Sequence, residues 1–236
     1  MLETSTYDDP AVVPPSIRAR WRFAETGSAA AILRAVCPAE WRDILDVLDT
    51  FALDPVTWLR PGGNLGEVPK TLDAMFKQRG WCARRLDLVS YGLVYDGGDN
   101  LVQRLPDVEQ EGYIIDNFKG AVAVDVEWNA KDGNLDRDLG AYRAWHQAGV
   151  LTGAVIITQD RLALKSLAKR LWSEYQQTLP ANLRQNRLPI DVNTSTTTNY
   201  DKARLRLKRG AAGTCPVLIV AACEATWNGQ PYTAGT

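Results

Sequence analysis

The chain has 236 residues, 45% of them hydrophobic, enough for one sizeable core or two small ones. A formal net charge of −1 argues against a uniformly basic nucleic-acid binder, and no apolar run approaches the roughly eighteen residues of a membrane span. The first fifteen residues carry acids and prolines instead of a signal peptide's basic start and apolar run, and four cysteines with one histidine offer no zinc-finger spacing. Cys37, Cys82, Cys215 and Cys223 read as reduced thiols of a cytoplasmic protein, three or four of them buried.

Residues 1–15 lack periodicity and are expected to form a mobile or loosely packed leader, with 16–236 as a single domain whose N-terminal part is helical. Ser16 to Phe51 reads as helical throughout, with Ser28 as an N-cap and Pro38 at the start of a second helix. Trp41, Ile44, Leu45 and Leu48 form one stripe of that helix. Pro61-Gly62-Gly63-Asn64 is a turn, and Pro69 to Arg79 is a helix closed by Gly80. Tyr91 to Glu111 reads as a loop or peripheral hairpin.

Two strands with acids follow. From Ala121 to Trp128 the chain alternates, Val122, Val124 and Val126 against Ala123, Asp125 and Glu127, which predicts one buried apolar face with both acids on the other. Gly112 to Phe118 is a second strand, and a turn at Lys119-Gly120 would set Asp116 opposite Ala123, on the acid face. Lys119 in that turn would touch a phosphate or simply be solvated. Three carboxylates on one face repel and lose hydration, which points to a cation; the plainer alternative is an exposed acidic hairpin.

Beyond the acids, Asp136 to Ala148 is a helix on which His146 is a face residue. Gly153 to Thr158 and Cys215 to Cys223 are buried strands, and Arg161 to Gln177 is a basic amphipathic helix. Trp21, Trp41, Trp58 and Trp145 sit on apolar helical stripes and are core candidates. From Arg161 to Arg209 there are eleven Lys or Arg against three acids, so a near-neutral chain still has one segment able to hold a polyanion. This order of elements fits an α/β fold with a mixed central β-sheet flanked by helices.

Hard cations such as Mg²⁺ prefer oxygen ligands and retain waters, so Asp116 and Asp125 with a phosphate oxygen would make a site, with Glu127 binding a second ion or orienting the attacking water. Asp116, eight residues, then Asp125-Val126-Glu127 resembles the PD-(D/E)xK nuclease motif. The continuation Glu127-Trp128-Asn129-Ala130-Lys131-Asp132 and Asp136-Arg137-Asp138-Leu139 resembles the BglII/BstYI branch of type II restriction endonucleases. Gly62-Gly63-Asn64, Gly80-Trp81, Gly153 to Thr158, Ser195 to Thr198, Lys202 and Gly213 to Leu218 agree in order, so the likeness spans about Ser28 to Val220. Asp125 stands where this branch usually has Glu, one methylene shorter, and Glu127 stands in the lysine position, as in the related BamHI-type enzymes.

The resemblance implies a restriction-endonuclease-like core, one or two Mg²⁺ per active site, and a homodimer that cuts both strands of a short palindrome in duplex DNA. A GATC core, 5′-phosphate ends and a cognate methyltransferase encoded separately are implied too. It implies base reading by Asn129, Lys131, Asp132 and Asn134 and by Ser195, Thr196 and Thr197, with Lys202, Arg204 and Arg206 on the phosphates. Glu67 is a candidate for a further carboxylate at the metal site. A binding-only relative or a repair-type nuclease would share these residues.

Overall fold

The computed structural model describes residues 2–60, 66–128, 130–188 and 196–233, so the turn expected at Pro61 to Asn64 lies outside the described residues. In chain order the strands are β1 (Glu3–Thr4), β2 (Trp21–Thr26), β3 (Cys82–Arg85), β4 (Leu88–Ser90), β5 (Leu93–Tyr95), β6 (Leu101–Arg104), β7 (Val108–Gln110), β8 (Ile114–Lys119), β9 (Val122–Val126), β10 (Gly153–Gln159) and β11 (Val217–Ala222). The helices are α1 (Pro15–Arg18), α2 (Ala29–Val36), α3 (Pro38–Thr50), α4 (Pro55–Trp58), α5 (Glu67–Gln78), α6 (Gly133–Gln147), α7 (Arg161–Thr178) and α8 (Tyr200–Lys208).

β9, β10 and β11 run parallel, and every residue of all three is buried. That is why their sequences are rich in Val, Ile and Ala on both sides of the pleat. Antiparallel strands extend the sheet at each end, giving the order β1-β2-β11-β10-β9-β8-β3, a mixed seven-stranded sheet. The expected α/β architecture is therefore present. One face packs Val122, Val124 and Val126 against residues of α2, α3, α5 and α7; the other packs Ala123, Ala154 and Ile156 against α6 and α8. The crossover helices of the parallel strands cover both faces. β4 with β7 and β5 with β6 form two exposed antiparallel ribbons, matching the peripheral hairpin expected at Tyr91 to Glu111.

The N-terminal part departs from expectation. Trp21 to Thr26 is not helical but the strand β2, paired along its whole length with β11. Trp21 and Phe23 face one core and Ala24 the other, so tertiary pairing overrides the helical reading of a short apolar run. Trp21 is core as expected, but from a strand. The leader is not loosely packed either: β1 pairs with β2, Tyr7 stacks on Phe23, and Val12 and Val13 are buried. Ser28 does stand at the N-terminus of α2, yet its φ is +55° and its side chain caps nothing. Instead the Ala30 amide donates to Glu25 Oε2 (2.8 Å) and the Ala31 amide to Thr6 Oγ1 (3.1 Å). Of the cysteines only Cys37 and Cys215 are buried, while Cys223 is half-buried and Cys82, on an edge strand, is exposed; all four are free.

Glu25 is thus the joint between leader and sheet: buried, it accepts from the Ala30 amide and from the Thr6 amide through its other oxygen. A carboxylate there also complements the positive end of α2. Glu25→Ala should lower stability by about 2–3 kcal/mol, since it strands two buried amides, and Glu25→Gln should lower it less. Urea unfolding monitored by tryptophan fluorescence checks this; equal midpoints for wild type and Glu25→Ala would refute the assignment.

Candidate active site

The β8–β9 hairpin sets the acids. Its register pairs Asn117 with Val124, Phe118 with Ala123 and Lys119 with Val122, so the turn residues are Gly120 and Ala121, one later than expected. Gly120 is required there: φ is +56°, and a Cβ would lie 2.3 Å from Glu40 Oε1. Continued, this register sets Asp116 opposite Asp125 instead of Ala123. A slip of two residues would preserve the facing of a regular strand, so the shift in the turn does not by itself move Asp116 off the face of Asp125. The Asp116 amide donates to Asp125 Oδ1 at 2.8 Å.

The acid face is not half-solvated, as one-sided alternation implied. α6 covers it, so Asp125 and Glu127 are only 3% and 5% exposed. α6 also brings Asp138, equally buried, within hydrogen-bonding reach of Glu127, and Tyr142, whose hydroxyl donates to Asp125 Oδ2. Arg137 lies 3.2 Å from Asp138 Oδ1. Neither Asp138 nor Tyr142 was picked out from the sequence as a site residue. The available signal was an acid at 138 beside apolar Leu135 and Leu139, with Tyr142 one helical turn on.

Burial dominates the electrostatics. It raises Asp125 to about 7, with the charge of Asp138 adding to the rise and the Tyr142 hydroxyl opposing it. Glu127 is pushed to about 9, first by burial and then by Asp138. Asp138 is raised by burial, against Arg137, and the Tyr142 phenol is driven well above its ordinary value by burial and Asp125. Asp116 is the most exposed of the four acids, yet partial desolvation raises it too.

Whether these residues suit a cation can be judged from their atoms. Every donor in the cluster is oxygen, and Glu127 Oε2 and Asp138 Oδ2 are buried without a hydrogen-bond partner, a state that a hard cation would relieve. Among the described residues no three His, Cys, Asp or Glu side chains already converge on a single point that could hold a metal. The set therefore fits an ion that takes one or two carboxylates and completes its shell with water and phosphate. Glu67 does not join it: its carboxylate pairs with Lys70 at 2.9 Å on the surface of α5. Lys119 is half-buried and already paired, its Nζ 2.8 Å from both Asp43 Oδ2 and the Arg79 carbonyl. His146 is a helix-face residue, Nδ1 against the Leu151 carbonyl at 2.8 Å.

The two segments expected to read bases lie side by side. The Asp132 amide donates to the Thr196 carbonyl (2.8 Å), the Thr198 amide to the Ala130 carbonyl (2.9 Å), and Lys131 bridges Thr197. Asn134 begins α6, its amide on the Lys131 carbonyl. Asn129 and Ser195 fall outside the described residues. Lys202 and Arg206 reach this junction from α8, pairing with Asp132 at 3.1 and 3.0 Å, and Arg206 also meets Asp136 at 2.8 Å. Arg204 points the other way, to Glu3 of β1. Thr198 Oγ1 donates to the Glu127 carbonyl (3.0 Å), as does Thr158 Oγ1 (2.7 Å), so the second segment is bonded directly to the acid strand.

A mixed sheet flanked by helices and bearing an acid hairpin agrees with a restriction-endonuclease core, and comparison with protein families places the chain in that class. The matching model is described as Restriction endonuclease BglII/BglIII and covers residues 21–222. The chain belongs to that family and is a type II site-specific deoxyribonuclease. A search of individual curated proteins gives no match.

The raised carboxyls set a pH signature. Between the ordinary carboxylate value near 4 and the raised values of about 7 and 9, the folded protein binds more protons than the unfolded chain. Stability of the ion-free protein therefore falls as pH rises through that window. In chelator, Asp125→Asn should flatten this decline between pH 5 and 8 by on the order of 2–4 kcal/mol. Thermal melts across pH check it; an unchanged slope would show that Asp125 does not carry the proton.

Proposed function

We propose that this restriction endonuclease cuts both strands of a short palindrome with a GATC core, leaving 5′-phosphate ends, and works as a cytoplasmic homodimer with one or two Mg²⁺ per active site. The observation that carries the reading is positional. The Asp116 amide bonds Asp125 Oδ1, which brings Asp116 beside Asp125, and the strand bearing Asp125 leads through Glu127 towards the 130–134 segment, which lies beside Thr196 to Thr198. Hydrolysis and base reading thus fall on one continuous surface.

Asp116, Asp125 and Glu127 would line the cation site, one or two of them binding the ion at a time, and the ion would polarise the scissile phosphate and acidify a water. Asp116, at the open side of the cluster, meets the phosphate first. Glu127 orients the attacking water and, once deprotonated, accepts its proton. The Thr158 and Thr198 hydroxyls, donating to the Glu127 carbonyl, fix the backbone that bears that carboxylate. Lys202 and Arg206 exchange Asp132 and Asp136 for phosphate oxygens, which frees the Asp132 carboxylate to accept from a base amino group. Asn129, Lys131, Asn134, Ser195, Thr196 and Thr197 complete the base contacts, and Arg204 gives up Glu3 for a phosphate at the edge. Two-fold symmetry of the protein matches two-fold symmetry of the site, and a separately encoded methyltransferase protects the host's own copies.

Unmethylated phage DNA incubated with protein and Mg²⁺ should give discrete fragments whose sequenced ends share one GATC-centred palindrome. Ends without a common sequence, or intact DNA, would overturn the proposal. Asp116→Ala should slow cutting by more than about 100-fold while DNA binding persists. Arg206→Ala should weaken binding to all sequences alike and lower the slope of log affinity against log salt by about one; an unchanged slope would remove Arg206 from the phosphate contacts.

A further inference from the structure

The three-acid motif leaves one carboxylate of the cluster without a task. Asp138 is 3% exposed, on a helix face that otherwise buries Leu135, Leu139 and Tyr142. An acid in such a place needs a partner for each oxygen. Arg137 answers Oδ1, but its own side chain is 41% exposed, and Oδ2 is left buried and unmatched. Glu127 Oε2 is buried without a donor in the same way, and the two carboxyls lie within hydrogen-bonding reach of each other, so the pair must share a proton or a cation. Two facing carboxylates, each with an unsatisfied oxygen, make a gap that attracts positive charge.

Asp125 adds an independent reason. It is one methylene shorter than Glu, and both its oxygens already accept protein hydrogen bonds, from the Asp116 amide and the Tyr142 hydroxyl. Its hold on an ion is correspondingly limited, and another carboxylate must supply what it lacks. We propose that Asp138, contributed by α6, is a further ligand of the divalent cation, and that its Oδ2 and Glu127 Oε2 grip the same ion. A pair of carboxylates with water and a phosphate oxygen satisfies Mg²⁺ without three converging side chains. Tyr142 serves as a positioning residue that holds Asp125 while Asp138 and Glu127 close on the ion. This inference rests on the metal-dependent reading above.

The test is Mn²⁺ binding to the DNA-free protein, followed as loss of the free-ion electron paramagnetic signal, with the cation-induced rise in melting temperature as a second readout. Asp138→Asn keeps shape and removes charge. It should weaken Mn²⁺ binding by roughly tenfold or more and abolish the cation-induced rise, with the ion-free melting temperature unchanged or raised because a like charge is gone. Wild-type affinity in Asp138→Asn, with Asp116→Ala weakened, would overturn the role of Asp138 and leave the metal-dependent reading standing. Unchanged binding in both variants would overturn both. Should Asp138→Asn fail to fold, anomalous scattering from Mn²⁺ in crystals of the wild-type protein decides. An ion about 2.1 Å from Asp138 Oδ2 is expected, and an ion held by Asp116 and Asp125 alone would overturn the inference.

Discussion

The structure depends on keeping like charges together out of water. Asp125, Glu127 and Asp138 lie between β9 and α6, nearly excluded from solvent, with Arg137 the cation at hand. Burial raises all three carboxyls, and the charge of Asp138 raises Asp125 and Glu127 further, so the cluster opposes folding whenever it ionises. Such an arrangement persists only if the surrounding frame is rigid and function requires it. The frame is the parallel trio β9–β10–β11, buried on both faces. The Glu127 amide bonds to the Ile157 carbonyl of β10, and the Glu127 carbonyl takes two threonine hydroxyls.

Under the proposed function the same frame joins chemistry to recognition. Thr198 bonds the Glu127 carbonyl, while its amide and the Thr196 carbonyl stitch the second segment to the stretch after the acids. A shift of this segment on contact with bases would therefore be felt at the strand bearing Glu127. The basic segment behaves differently from its composition. Lys202 and Arg206 are matched by Asp132 and Asp136, and Arg204 and Lys208 by Glu3. On α8 these four positive charges are held by acids from elsewhere in the chain, so they do not form a bare cationic patch.

Family membership and the acid spacing agree, and the departures have structural consequences. A shorter acid at 125 is met by a tyrosine hydroxyl from α6, and a glutamate at 127 is met by an aspartate from the same helix. Both compensations come from one turn of helix, Asp138 to Tyr142, packed over the hairpin. The leader shows the same logic on the far side of the sheet, where Glu25 and Thr6 cap a helix whose own Ser28 cannot.

Taken alone, the sequence determined the parts governed by local periodicity. These are the buried apolar strands at β10 and β11, the helices α5, α6 and α7, and the antiparallel hairpin that brings Asp116 beside Asp125. It also determined the family, because ordered motifs are read without geometry. Tertiary structure decided what no window of neighbours contains. Trp21 to Thr26 became a strand because β11 offered it an edge, and the leader became ordered because β2 and α2 offered it partners. Asp138 joined acids more than ten positions away because α6 folds back over the hairpin. Burial and the electrostatics that follow from it arise from contacts distant in sequence, whereas a pattern records only which residues share a face.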